Sequence, residues 1–174
     1  GDIGWEFWKN EGDALPERTI ELLKRVDAAF LGAITSKSIK VAEEELSSDL
    51  RGKGFVYRSP IVRMRQLFDL YICLRPCNAY KGNTGNIKEN INLVMFRENT
   101  EDLYVGVEFF PVPDELSKTL TRLSKNFAPF KDLSGDEYAI SCKINTKRGC
   151  ERIVRVAFEY ARAHKRKKVT AIHK

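Results

Sequence analysis

Ile91-Asn92-Leu93-Val94-Met95-Phe96-Arg97 runs without a break into Glu98-Asn99-Thr100-Glu101-Asp102-Leu103-Tyr104. The first seven residues are apolar enough for a strand, and the second seven form a polar, mixed-charge connection. This junction places Arg97 and Tyr104 beside the same strand end. Neighbouring cations make a phenol easier to ionise, so the pair reads either as an acid–base site or as a turn with a packed ring.

Upstream, Ser59-Pro60 supplies an N-cap and a first-turn proline for a helix over Ile61 to Phe68. A strand over Leu70 to Leu74 follows, closed by Arg75-Pro76. Earlier still, Leu15 to Val26 carries an early proline, acids in its first turn and bases near its end, the signature of a helix. Ala28 to Ile34, the run AAFLGAI, predicts a buried strand that delivers Thr35-Ser36-Lys37 at its C-terminal end. In open α/β sheets ligands collect at that end. Residues 37–58 read as an exposed excursion with a short helix at Val41 to Leu46.

Downstream, FFPVPDEL and the polar stretch through Asp136 have weak periodicity and read as a protruding arm. Tyr138 to Thr146 alternates like a strand, Lys147 to His164 is an amphipathic helix, and Lys168 to Ile172 is a final strand. Helices and strands alternate, which defines an α/β class.

The chain has 174 residues, of which 43% are hydrophobic and 31% charged, enough apolar material to exclude disorder as its main state. No run has the length and apolarity of a membrane span, and the N-terminus lacks a basic-then-apolar leader. The expectation is a cytoplasmic protein with no membrane partner. Thirty basic residues against 24 acidic ones leave a net charge of +6, which favours anionic ligands. Cys73, Cys77, Cys142 and Cys150 form no CxxC pair, and His164 and His173 lie away from them, so the cysteines read as buried free thiols rather than metal ligands. The basic run Lys165 to Lys168 sits where a helix C-terminus favours cations, and no aromatic interleaving accompanies it. Nucleic acid is therefore not an expected partner.

Arg58, Arg63, Arg65, Arg75 and Arg97 cluster in the middle of the chain. Guanidinium forks bind planar carboxylates in pairs, so converging arginines can hold a di- or tricarboxylate; ordinary surface ion pairs are the other reading. Lys174, after the last strand, can act as a base if other cations crowd it.

Three ordered stretches carry a resemblance: Ser59-Pro60-Ile61-Val62-Arg63-Met64-Arg65, then Asp69-Leu70-Tyr71-Ile72-Cys73-Leu74-Arg75-Pro76-Cys77, then Phe96 to Gly106. Together with Thr146-Lys147-Arg148-Gly149-Cys150-Glu151-Arg152-Ile153 and Val169-Thr170-Ala171-Ile172-His173-Lys174, the chain resembles the isocitrate, isopropylmalate and homoisocitrate dehydrogenases. The resemblance spans almost the whole sequence and is weakest over residues 38–51 and 110–135.

It implies the fold of those enzymes: residues 1–68 as part of the large α/β domain, and residues 69–174 as the small domain with a dimerisation arm at about 107–142. It also implies oxidation of a 2-hydroxy acid with NAD or NADP and Mg2+ or Mn2+, then decarboxylation and protonation of an enol. By position, Ser59, Arg65, Arg75 and Arg97 match the carboxylate binders and Tyr104 the proton donor. Lys174 matches the residue that deprotonates the hydroxyl across a homodimer interface. Thr35 and Ser36 match the loop near the nicotinamide, and Trp5 to Phe7 resembles the family's second strand.

The family's first strand and its C-terminal half, which holds the metal ligands, have no counterpart in this sequence, so the chain reads as a fragment inactive by itself. Where isocitrate enzymes carry an Asn and a Lys toward the distal carboxylate, this chain has Ile61 and Leu31. The expected substrate is isocitrate, with homoisocitrate and 3-isopropylmalate as alternatives. A non-catalytic regulatory subunit is the reading from another class.

Overall fold

Two tryptophans three residues apart organise the N-terminal part of the chain, because that spacing puts both on one face of a helix. In the computed structural model, which describes residues 1–172, they sit on α1 (Trp5–Glu11). Trp8 is almost fully buried, and its Nε1–H donates to the carbonyl of Ala42 at 2.8 Å. Trp5 donates to the Glu45 carboxylate at 2.6 Å. Both acceptors belong to α3 (Ile39–Glu44) or its C-cap, and Ser38 Oγ accepts the Val41 N–H at the other end. The Tyr57 ring packs against Trp5 and Trp8 with centroids 5.1 and 5.3 Å away. Helices of six or seven residues are too short to persist alone, so this cluster with Ala14 and Leu46, rather than propensity, holds them.

The chain divides into two compact units, Gly1–Leu70 and Tyr71–Lys174. The first also contains α2 (Glu17–Leu23), which starts after Pro16, and α4 (Pro60–Leu67). Asp13 ties the α1–α2 turn to α4. Its Oδ1 accepts from Arg63 Nη1 at 2.7 Å and from the Leu15 N–H at 2.9 Å, while Arg63 also donates to the Leu15 carbonyl at 3.1 Å.

Two expected strands are absent from this unit. Trp5 to Phe7 is helical, because Trp5 and Trp8 both find partners at α3 only with a helical repeat. Ala28 to Ile34 pairs with no strand among the described residues, and Phe30 and Leu31 are exposed. A buried parallel strand needs a ladder on both edges and apolar layers on both faces, and the described elements here are helices alone.

In the second unit β1 (Ile72–Asn78) and β2 (Asn92–Glu98) form an antiparallel hairpin, in register from Ile72 opposite Glu98 to Asn78 opposite Asn92. Side chains alternate between faces. Leu74, Val94 and Phe96 share one face, and Phe96 meets Tyr160 of α6 (Lys147–Ala163) edge-on at 5.2 Å. Cys73, Arg75, Cys77, Met95 and Arg97 share the other. The strand continues through Pro76, where Arg75-Pro76 was expected to end it, because each strand of a two-stranded sheet has an unpaired edge that tolerates a missing N–H.

The arm rises from a second pair, β3 (Glu108–Phe109) with β4 (Ile140–Ser141). It holds α5 (Asp114–Leu123), a 3-10 helix (Lys125–Phe130), and a small aromatic cluster of Phe127, Phe130 and Tyr138. Sequence reading missed α5, although Pro113 followed by Asp114-Glu115 is a helix-start signal. The strand expected over Tyr138 to Thr146 shrinks to β4 and a single bridge from Ile144 to Asp102, and Lys168 to Ile172 forms no strand. Cysteine burial is also corrected: Cys73, Cys77 and Cys142 are half-buried and Cys150 is exposed. Cys73 and Cys77 lie on the hairpin face turned away from Phe96, and so away from its packing on α6.

Candidate active site

The hairpin register decides which arginines meet. Arg97 lies opposite Cys73 and Arg75 opposite Met95, so Arg75 and Arg97 are diagonal neighbours on one face, about 7 Å apart at the backbone. Arg75 is exposed, and its Nε donates to Cys73 Sγ at 3.2 Å. The Arg97 guanidinium stacks over the Tyr104 ring at 4.9 Å. Two exposed cations on one small face repel each other, and an anion between them removes that cost. The register thus puts Arg75 and Arg97 on one face of the hairpin, and Arg97 meets Tyr104.

Tyr104 sits in a 3-10 turn (Leu103–Val105) whose approach is tightly held. Glu98 Oε1 accepts the Thr100 N–H at 2.7 Å, the Thr100 hydroxyl at 2.6 Å and the Glu101 N–H at 2.9 Å. Arg152 of α6 donates to Thr100 Oγ1 at 2.9 Å and stacks over Tyr71 at 4.1 Å. The Glu101 carboxylate accepts both the Thr146 N–H at 2.8 Å and the Thr146 hydroxyl at 2.6 Å, and Thr146 Oγ1 in turn accepts the Gly149 N–H at 2.9 Å. Sequence reading missed Glu98, Glu101 and Thr146. Thr146 ahead of a helix was a readable N-cap signal, whereas nothing local announced its partner 45 residues away.

The bonds from Thr146 hold the Glu101 carboxyl below the usual glutamate range, with Arg152 and Arg148 adding a smaller pull. A lowered pKa means stability that is present above the unfolded value, about 4.3, and lost as pH falls through the folded value. Denaturant midpoints of the full-length protein are expected to drop as pH is taken below about 5. The drop should be shallower in Glu101→Gln, which has no proton to gain, and equal slopes would remove Glu101 from the acid response.

In the first unit Ser59 occupies the N-cap of α4, but its hydroxyl makes no capping bond, contrary to the cap expected from sequence. Pro60 at the first helical position lacks an N–H anyway. Ile61 and Arg65 are four residues apart, hence on one helical face, and both are half-buried. Thr35 and Ser36 are exposed rather than placed at a buried strand end, and Ser36 Oγ lies 3.0 Å from Tyr57 OH. Lys174 lies outside the described residues. Among those described, no group of three or more His, Cys, Asp or Glu residues is placed to hold a metal ion. No helix among them is long and apolar enough to cross a membrane.

The hairpin face with Arg75 and Arg97, and Tyr104 against Arg97, belongs to a chain of mixed helices and strands, and comparison with known proteins makes the class specific. The model of the family described as isocitrate/isopropylmalate dehydrogenase matches residues 1–174. The chain belongs to that family. Similar relatives include protein DlpA of Legionella pneumophila, 37% identical over 92% of this chain and 25% of the relative. The homoisocitrate dehydrogenase of Methanocaldococcus jannaschii is 37% identical over 100% of this chain and 42% of its own length. The NADP isocitrate dehydrogenase of Staphylococcus epidermidis is 34% identical over 98% and 37%. Among solved structures, isocitrate dehydrogenase from Methylococcus capsulatus superposes with a TM-score of 0.66 at 31% identity, covering 95% of this chain and 38% of that one. The chain thus spans less than half the length of the curated relatives it matches.

Proposed function

We propose that the chain is part of an enzyme that oxidatively decarboxylates isocitrate to 2-oxoglutarate, with NAD or NADP and Mg2+ or Mn2+. The observation that supports it best is the shared hairpin face, with Arg75 and Arg97 side by side and Tyr104 under the Arg97 guanidinium. Arg75 and Arg97 bind substrate carboxylates through paired, charge-assisted hydrogen bonds, and Ser59 and Arg65 of α4 are assigned carboxylate-binding roles by their match to the family's motif. The nicotinamide supplies the hydride acceptor, and Thr35 and Ser36 border it. Loss of carbon dioxide leaves an enolate whose negative charge the guanidiniums stabilise, and Tyr104 gives its phenolic proton to the carbon from which carbon dioxide left. Lys174, from a second copy of the chain, removes the hydroxyl proton at the start. The described residues supply no metal centre, so the ion's ligands are assigned to the rest of the whole protein.

In this reading residues 69–174 form the small domain and the arm at about 107–142 joins two subunits. Exposed Phe110, Leu123 and Leu133 give the arm apolar surface for that purpose. The four free thiols suit a cytoplasmic enzyme. Two second readings are favoured by Ile61 and Leu31: neither side chain can bind a distal carboxylate, which suits 3-isopropylmalate, and Leu31 with Ser59-Pro60-Ile61-Val62 resembles the homoisocitrate enzymes. A regulatory subunit is not favoured, because such a subunit is expected to lose the tyrosine or the lysine and the sequence keeps both Tyr104 and Lys174.

The test is turnover of isocitrate, homoisocitrate and 3-isopropylmalate by the full-length protein, each with NAD and NADP. Turnover of isocitrate well above the other two is expected; turnover of none would overturn the proposal. In the same assay Arg97→Lys exchanges a fork for a point charge. Losing about 2 kcal/mol of charge-assisted binding raises KM roughly 30-fold, and an unchanged KM would remove Arg97 from the carboxylate site.

A further inference from the structure

Tyr104 can protonate a carbon only if the segment carrying it is fixed, and that segment is held where its own backbone resists. Asp102 has φ +65° and ψ −135°, a region that side chains other than glycine's avoid. Such a conformation persists when its surroundings over-determine it, and it marks sites where position matters. Three contacts constrain Asp102: its N–H donates to the Ile144 carbonyl at 2.8 Å, its Oδ1 accepts the Leu103 N–H at 2.8 Å, and its Oδ2 pairs with Lys143 at 3.3 Å. Each lies on a short surface segment, and none reaches a long rigid element.

Glu101, one residue earlier, provides that anchor. Its N–H is held by Glu98, its carbonyl accepts the Tyr104 N–H at 3.3 Å, and its carboxylate takes both donors of Thr146 at the start of the 17-residue α6. A carboxylate at a helix N-terminus also gains from the helix dipole. Gly149 shows how closely the two parts fit. It is buried in the first turn of α6, and a Cβ there would overlap the Glu101 carboxylate. Glycine inside a helix costs about 1 kcal/mol against alanine, so this position gives up helix stability to admit a side chain from 48 residues upstream in the chain.

We propose that Glu101 is a positioning residue for the reaction: seated in the Gly149 notch at the α6 N-terminus, it holds the strained turn so that Tyr104 stays under Arg97 for proton transfer. The inference rests on the reading of Tyr104 as proton donor. The carboxylate-binding arginines lie on the hairpin, before the clamp. Loosening it should therefore misplace the phenol and leave substrate binding intact.

The experiment compares Glu101→Ala, Glu101→Gln, Gly149→Ala and Tyr104→Phe in the full-length protein, with isocitrate or whichever of the three hydroxy acids it turns over best. The first three are expected to lower kcat by about 10- to 100-fold, the scale of an ångström-sized misplacement, while KM stays within about threefold. Glu101→Gln, which keeps one acceptor oxygen, should lose least. Gly149→Ala separates positioning from stability, since a purely structural role predicts a lower thermal midpoint with kcat of the folded protein unchanged. It also keeps the test open should Glu101→Ala fail to fold. If Tyr104→Phe loses turnover but Gly149→Ala and Glu101→Gln keep kcat within twofold, or if only KM moves, the positioning role is wrong and the proton-donor reading survives. If Tyr104→Phe itself keeps turnover, both fall.

Discussion

Tyr104→Phe in the full-length protein is expected to lower kcat by about 10²- to 10⁴-fold, the usual contribution of one positioned acid, with substrate Kd changed by less than about threefold. The asymmetry follows from the geometry. The phenol ring lies 4.9 Å beneath the Arg97 guanidinium, and phenylalanine keeps that ring, so Arg97 remains stacked and free to bind a carboxylate. Only the hydroxyl is lost, and with it the proton that the proposed reaction assigns to Tyr104. Rapid release of reduced nicotinamide with slow formation of the keto acid would be the corresponding signature, because hydride loss precedes protonation. Unchanged turnover would refute the assigned role; an equal loss of binding would instead make Tyr104 part of the carboxylate grip.

Trp8→Ala is expected to unfold the first unit. Truncating a buried tryptophan costs about 3–5 kcal/mol, and leaving the Ala42 carbonyl without its donor adds about 1 kcal/mol or more. A domain has only about 5–15 kcal/mol in total. Leu46 and Ala42 cannot close the gap, because the helix that presents Ala42 is six residues long and is itself held by the indole. Trp8→Phe, which keeps most of the ring and loses the hydrogen bond, should cost about 1–2 kcal/mol. Thermal unfolding followed by circular dichroism distinguishes the two, and a midpoint in Trp8→Ala within a few degrees of the parent protein would show that the cluster is not the core of this unit.

Signals local to a few turns were readable in the sequence. The helices at Glu17–Leu23, Pro60–Leu67 and Lys147–Ala163 follow from prolines, caps and apolar spacing. The strand before Arg97 follows from its apolar run, and Arg75, Arg97 and Tyr104 were singled out by residue type and by resemblance. The AAFLGAI run shows the limit. Its apolarity describes a strand between two neighbours, yet among the described residues no strand lies beside it, and apolar composition without a ladder does not make a strand. Trp5 to Phe7 shows another: three apolar and charged residues fit strand or helix, and contact with residues 42 and 45 selected the helix.

Periodicity by itself determined the α/β class, and the order of the motifs the family and the candidate residues Arg75, Arg97 and Tyr104, because these depend on residue type and short spacing. Tertiary structure alone decided that Arg75 and Arg97 share a face, which is a matter of hairpin register. It alone placed Glu101 against Thr146 and Gly149, 45 and 48 residues away, because a contact across such a loop is set by packing and backbone geometry and leaves no periodic trace in the chain.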